Sequence, residues 1–204
     1  MGRRRDAGRE AWRAKTDAQI HTPASFAALK AARGLSLLGL MGYAGRWQRS
    51  GLSGAALEAF VADAGAALRR SLEAARAEHG ERLVMVSGAT DSGVLRLAYE
   101  LAAELSITSM GITSNRALRY RVAPMSYLIA IGSRFGDESA DFVTLCDHFV
   151  VLGGGAQSRH ECELALAQGK SVQAITGFGG AADELAGQGE RAGLECVSGR
   201  ASAG

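Results

Sequence analysis

The chain has 204 residues, a formal net charge of +2 and 47% hydrophobic residues. That suffices for one α/β domain with a full core and excludes a chain that is basic throughout. No apolar run reaches the ~18–20 residues of a membrane span, and the N-terminus lacks the apolar segment of a secretory signal, so a cytoplasmic protein with no membrane contact is expected. The three cysteines, Cys146, Cys162 and Cys196, form no CxxC pair. Cys146 and Cys162 sit in apolar helical contexts and read as core. No two histidines stand at metal-ligand spacing, so no metal site, disulfide framework or resident cofactor is expected.

In chain order, residues 1–33 read as a basic tail and a lead-in helix. Six of the first fifteen residues are Arg or Lys, against two acids. This local excess suits a solvated arm or, alternatively, a contact with nucleic acid. "TPASFAALKAARG" has a Thr–Pro start, an Ala-rich interior and a Gly stop. From residue 34 the pattern becomes an alternation of strands and helices. "LSLLGLMGY" is strand one, and "SGAALEAFVADAGAALRRSLEAARAEHG" a long amphipathic helix from a Ser cap to Gly80. "RLVMVSG" is a fully apolar strand of the kind that suits the middle of a parallel sheet. "DSGVLRLAYELAAEL" is a helix, "SITSMGIT" and "SYLIAIGS" are strands, and "DESADFVTLC" is a short helix with Asp137 as its N-cap. "HFVVLGG" is a strand, "SRHECELALAQG" a helix, "KSVQAIT" a sixth strand and "AADELAGQGERAG" a final helix. Regular alternation means βαβ units in a Rossmann-like, doubly wound, mainly parallel sheet with helices on both faces. The expected domain covers residues 34–195, and 196–204 read as a flexible tail.

In such sheets ligands bind beyond the carboxyl ends of the strands. Three strand-to-helix turns are glycine-rich: "LMGYAGR" with Gly42, "VSGATDSG" with Gly88 and Gly93, and "LGGGAQS" with Gly153, Gly154 and Gly155. Glycine lets backbone approach a ligand, and each helix start offers free N–H groups and a positive dipole. Together the three turns predict an anion cradle. Two familiar nucleotide motifs fail. "GKS" at 169–171 lacks the upstream glycine of a P-loop and follows a helix, so Gly169 reads as a helix stop and Lys170 as a charge at that helix's C-terminus. "GLMGYAG" does not have the spacing of GxGxxG.

"VVLGGGAQSRHECELALAQGKSVQAI" resembles the signature of the LOG-like, or lysine-decarboxylase-like, Rossmann superfamily. That signature is an apolar strand, a GGxGTxxE turn, an Ala-rich helix, Gly-Lys and another strand. Gly154 and Gly155 fall on its paired glycines, Ser158 on its threonine and Glu161 on its glutamate. "VMVSGATDSGVLRLAYELA" is similar to the second glycine turn. The resemblance covers roughly residues 34–178, and the molybdenum-cofactor-carrier-like members are the most alike. It implies a nucleotide-like phosphorylated ligand, a homodimer and, in the hydrolase members, cleavage of the N-glycosidic bond of a nucleoside 5′-monophosphate. Glu161 would then stabilise the developing ribosyl cation or position water. The departures are Gly153 for proline, Gln157 for the second-motif glycine, and Glu138 and Ser139 where the hydrolases carry an Arg-Lys pair. A carrier or sensor that binds without turnover is the alternative. "VSGATDSGV" is also similar to a turn of DNA-processing Rossmann proteins, which leaves nucleic acid as a further alternative.

Two readings of Glu161 stay open. "SRHE" has the form of a capping box, with Ser158 as the cap and Glu161 returning a hydrogen bond. The same carboxylate would stand beside the ligand. Asp91 suits either a helix dipole or a ribose hydroxyl. Arg134 is the basic residue expected nearest a phosphate. His148 reads as structural and His160 as solvent-facing, and His21 and His79 lie outside the cluster.

Overall fold

The structure, a computed structural model, describes residues 2–45 and 51–200. Met1, residues 46–50 beyond the first glycine turn, and residues 201–204 of the expected C-terminal tail lie outside these. The elements are α1 Gly2–Arg13, β1 Gln19–His21, α2 Pro23–Arg33, β2 Ser36–Gly42, α3 Gly54–His79, β3 Leu83–Ser87, α4 Gly93–Glu104, β4 Thr108–Thr113, β5 Tyr127–Ala130, α5 Ser139–Leu145, β6 His148–Leu152, α6 Ala156–Ala167, β7 Ser171–Thr176, α7 Gly180–Ala186 and β8 Leu194–Ser198.

One eight-stranded sheet has the order β1-β5-β4-β3-β2-β6-β7-β8, and every pairing between neighbours is parallel. The chain runs outward from β2 through β3, β4 and β5, then returns to the other side of β2 with β6. Strand order therefore reverses between β2 and β6, which opens a crevice at their carboxyl ends. Alternation along each strand builds two cores. Leu37, Met41, Val84, Val86 and Val151 face Phe26 of α2, Phe142 of α5, Cys162 of α6 and Leu185 of α7. Leu38, Leu40, Met85, Val150 and Leu152 face Leu68 and Leu72 of α3 and Ala98 and Tyr99 of α4.

Local signals explain the helix ends. Thr22 accepts from the Ser25 amide at 3.1 Å and donates its own amide to Ser25 Oγ at 3.0 Å, and Gly34 closes α2 in the left-handed conformation. Three sequence expectations need correction. The described residues form eight strands, not six: β1 falls within residues 1–33, and β8 crosses the expected boundary at 195/196. The last helix ends at Ala186, not near residue 193. Both extra strands lie at the sheet edges. A three-residue strand is too short to show a period, and the largely exposed β8 carries no apolar run. The basic start of the chain, read as a solvated arm, also docks through α1. Trp12 of α1 is 1% exposed, and its indole N–H donates to Asn115 Oδ1 at 2.9 Å.

Trp12→Ala is expected to destabilise the domain by about 3–5 kcal/mol, as for other buried aromatics cut to alanine. Chemical denaturation measures this. An unchanged midpoint would mean that α1 does not dock.

Candidate functional site

A cavity of about 440 Å³ opens at the carboxyl ends of β2, β3 and β4, beside the start of α6. Its walls are apolar, with Leu40, Met41, Leu95, Ile112 and Phe142. Tyr120 and Phe135, exposed aromatics whose ring centroids lie 5.8 Å apart, also line it.

The third glycine turn brings α6 to this cavity with its first amides uncapped. Gly155 is the N-cap, in an extended conformation, and no side chain among the described residues caps the helix start. The carbonyls of Gly153 and Gly154 are taken by the amides of Ala182 and Ala181 of α7, both at 3.0 Å. Gly153 has φ +64°, and a Cβ there would sit 2.6 Å from the Tyr43 ring. Gly155 differs: a Cβ there would meet nothing within 4 Å. A helix start with no cap leaves N–H donors and the positive dipole end without a partner. Gly155, Gln157 and Ser158 line the cavity.

One turn further along α6 stands Glu161, 7% exposed, and facing it is Glu138, 5% exposed. Gln157 Nε2 donates to Glu161 Oε1 at 2.9 Å and to Glu138 Oε1 at 3.0 Å. Ser139 Oγ donates to Glu161 Oε1 at 2.7 Å, and the Gly136 amide donates to Glu138 Oε2 at 3.1 Å. Burial raises the Glu161 carboxyl above the ordinary glutamate value, and the Glu138 charge adds to this; the Ser139 and Gln157 bonds pull the other way. Among the described residues, no Lys, Arg or His lines the cavity.

α5, which has Glu138 as its N-cap and Ser139 as its first residue, is held at its far end by two lysines. Lys170 Nζ donates to the carbonyls of Val143, Thr144 and Cys146 at 2.5, 3.0 and 2.7 Å. Lys30 Nζ reaches Leu145 O at 2.7 Å and Asp147 Oδ1 at 2.5 Å. Lys170, expected to serve the C-terminus of α6, thus serves that of α5, because the turn after α6 runs beside it. Tyr99 fixes the second turn. Its buried hydroxyl lies within bonding distance of Gly88 O at 3.0 Å and Met110 O at 3.1 Å, and burial raises its pKa.

Of the expected site residues, the structure brings Gly42, Gly88, Gly155, Gln157, Ser158 and Glu161 to the cavity lining. Gly93, Gly153 and Gly154 do not line it. They serve close packing: a Cβ on Gly93 would lie 2.3 Å from Tyr43 O, and one on Gly154 2.7 Å from Ser158 Cβ. Asp91 does not line it either, because its carboxylate pairs with Arg121 at 2.5 Å. Arg134, with a side chain 82% exposed, lies 3.8 Å from Asp137. The capping box is overturned. Helix α6 starts two residues before Ser158, so Ser158 is inside its first turn and Glu161 bonds to Ser139 and Gln157 instead. Asp137 is not the N-cap of α5; Glu138 holds that position. The Asp137 carboxylate instead accepts the amides of Ser133 and Arg134, which lower its pKa. His148, at the amino end of β6, stacks on His79, away from the cavity, and Cys146 and Cys162 are core, as expected. Tyr43, whose ring packs over Gly153 and whose hydroxyl abuts Gly180, carried no sequence signal beyond the glycines around it.

No protein-family model matches the sequence, and no curated protein matches it significantly. Solved structures do. A structural-genomics protein, TM1055, superposes with a TM-score of 0.59 at 20% identity, over 80% of this chain and 92% of that one. The molybdenum cofactor binding protein from Rippkaea orientalis gives 0.56 at 17% identity, over 80% and 90%. DNA processing protein A from Streptococcus pneumoniae gives 0.56 at 18% identity, over 82% of this chain and only 60% of that one. The chain has a Rossmann-like fold that it shares with these structures. The resemblance read from residues 34–178 thus holds at the level of fold. Among the described residues of this Rossmann-like domain, no helix is long and apolar enough to cross a membrane.

Glu161 sets a pH signature. Folded, it keeps its proton to a higher pH than the unfolded chain, whose glutamates titrate near 4.5. In that window the folded state binds more protons, so stability falls as pH rises from the unfolded value through the raised folded one. Glu161→Gln removes this dependence. Denaturation midpoints from about pH 4 to 8 should therefore favour the variant increasingly as pH rises. Parallel profiles would contradict the burial-driven shift.

Proposed function

We propose that this protein binds a small, nucleotide-like phosphorylated ligand, with the phosphate on the N-terminal amides of α6. The observation that carries this is the start of α6 at Gly155, which no side chain among the described residues caps and which is open on its Cα side and at the cavity lining. Backbone donors and the helix dipole together favour an anion there without a lysine. The position where strand order reverses, and the fold shared with molybdenum cofactor carrier proteins, support the same reading.

We take binding without turnover, as in a carrier, ahead of hydrolysis. The Glu161 carboxylate is already bonded to Ser139 and Gln157, and its proton is held more tightly than usual. A group that stabilises a developing cation acts through its negative charge. The positions at which the resemblance calls for Arg and Lys hold Glu138 and Ser139. Hydrolysis of a nucleoside 5′-monophosphate is the second reading, because a buried carboxyl with a raised pKa in a cleft is also what a general acid looks like. Release of free base would favour it. The homodimer belongs to this proposal as well.

Gly155→Asp separates a cap from a ligand. The backbone at 155 is extended and the space beside it is empty, so Asp can cap α6 and occupy the amides itself. The variant should gain a few tenths of a kcal/mol of stability and lose affinity for inorganic phosphate and nucleoside monophosphates in titration calorimetry. Unchanged affinity would place the anion elsewhere.

A further inference from the structure

Outside the cavity, one patch of surface differs from the rest. Among the described residues, Tyr120 and Phe135 are the only exposed large apolar side chains, and they stand together. Exposed apolar residues scattered singly are ordinary, whereas grouped ones mark a place where something binds. Cations surround this pair. The Arg116 guanidinium lies 5.8 Å from the Phe135 ring centroid. Arg119, Arg121 and Arg134, next to the two aromatics in sequence, are all exposed. Asp91 and Asp137 lie against Arg121 and Arg134. Among the described residues, no carboxylate pairs with Arg116 or Arg119.

The patch is also held in place from beneath. Tyr120 lies on a segment tied to the second glycine turn, where the Asp91 amide donates to Arg121 O at 2.9 Å and the Ala123 amide to Ala89 O at 3.0 Å. Phe135 lies on a loop closed by the Asp137 carboxylate, which accepts the amides of Ser133 and Arg134. The 3-10 turn Asn115–Arg119 is anchored by Trp12 through Asn115 and by Lys15, which donates to Leu118 O at 3.0 Å. Side chains on a backbone fixed beforehand lose less freedom on binding.

We infer that this patch docks a partner protein through a surface of carboxylates set around an apolar side chain. Aromatic and arginine side chains are the residues enriched at the centres of protein interfaces. The unpaired Arg116 and Arg119 call for negative charge, which sets the sign of the partner's surface. Tyr120 and Phe135 also line the cavity, so the docked partner lies across its opening. A nucleic-acid strand fits less well. The two rings are tilted by 44°, and Arg116 stands over Phe135, so they offer no parallel platforms for successive bases. The Asp91 and Asp137 carboxylates would repel a continuous phosphate chain. A second copy of this chain fits less well too. A two-fold interface must be self-complementary, and a patch with surplus cations is not. The inference stands apart from the phosphate reading, since none of these side chains belongs to α6.

The test is selection of short random peptides on the immobilised full chain, followed by fluorescence anisotropy of the enriched peptides. Enriched peptides should carry Asp or Glu around an aromatic or large aliphatic residue, and their binding should weaken as salt rises. Tyr120→Ala and Arg119→Glu, each with unchanged circular dichroism, should each weaken binding about tenfold or more, the scale of an interface hot spot. Both side chains are exposed; if one variant does not fold, the other decides. Enrichment without acidic residues, or unchanged binding by a folded variant, overturns the inference. So does tighter binding of labelled oligothymidylate than of the best peptide, if the same variants abolish it. A native dimer that Tyr120→Ala or Arg119→Glu converts to monomer, in light scattering, also overturns it by assigning the patch to a second copy.

Discussion

Glu138 and Glu161 sit out of water on either side of one amide, that of Gln157, and much of the molecule is arranged around that contact. Desolvating a carboxylate is expensive unless hydrogen bonds replace its water. Here Gln157 serves both acids, while Ser139 and the Gly136 amide serve one each. Ser139 and Gln157 come from two helices, α5 and α6, and Gly136 from the loop before α5; they meet because the chain crosses the sheet between β5 and β6. Lys170 and Lys30 hold the far end of α5 by its last carbonyls. The polar cluster thus depends on two lysines at the amino ends of the strands, although neither lines the cavity.

The glycines fall into two physical classes that the sequence does not distinguish. Gly93 and Gly153 are there for space: each lies against Tyr43, and a methyl group would collide with its backbone or its ring. Gly155 is there for access, since nothing stands within 4 Å of the missing Cβ. All three occur in the same kind of strand-to-helix turn. Only the tertiary approach of Tyr43 and the outward face of α6 separate packing from presentation.

Much of the architecture was legible because a parallel sheet writes itself in apolar runs. The runs in "RLVMVSG" and "HFVVLGG" became β3 and β6, the two strands flanking β2. β1 and β8 were not legible, since an edge strand needs no apolar period. The site was half legible. The resemblance singles out Glu138 and Ser139 as the positions of the hydrolases' Arg-Lys pair, and they meet the Glu161 carboxylate through Gln157 and directly. The helix start was misread. Ser-x-x-Glu has the form of a cap, but a glycine at 155 lets α6 begin earlier, and the glutamate turns inward to a neighbouring helix. Asp91 and Arg134, chosen for charge near a turn, found charged partners at the surface instead.

The central claim is that the open end of α6 holds an anion. Backbone amide chemical shifts followed by NMR while inorganic phosphate is titrated test it most directly. The account predicts saturable shifts at Gly155, Ala156, Gln157 and Ser158, with a smaller response at Gly88 across the cavity. Shifts confined to other helix starts or to the arginine-bearing surface, with these amides unmoved, would contradict it.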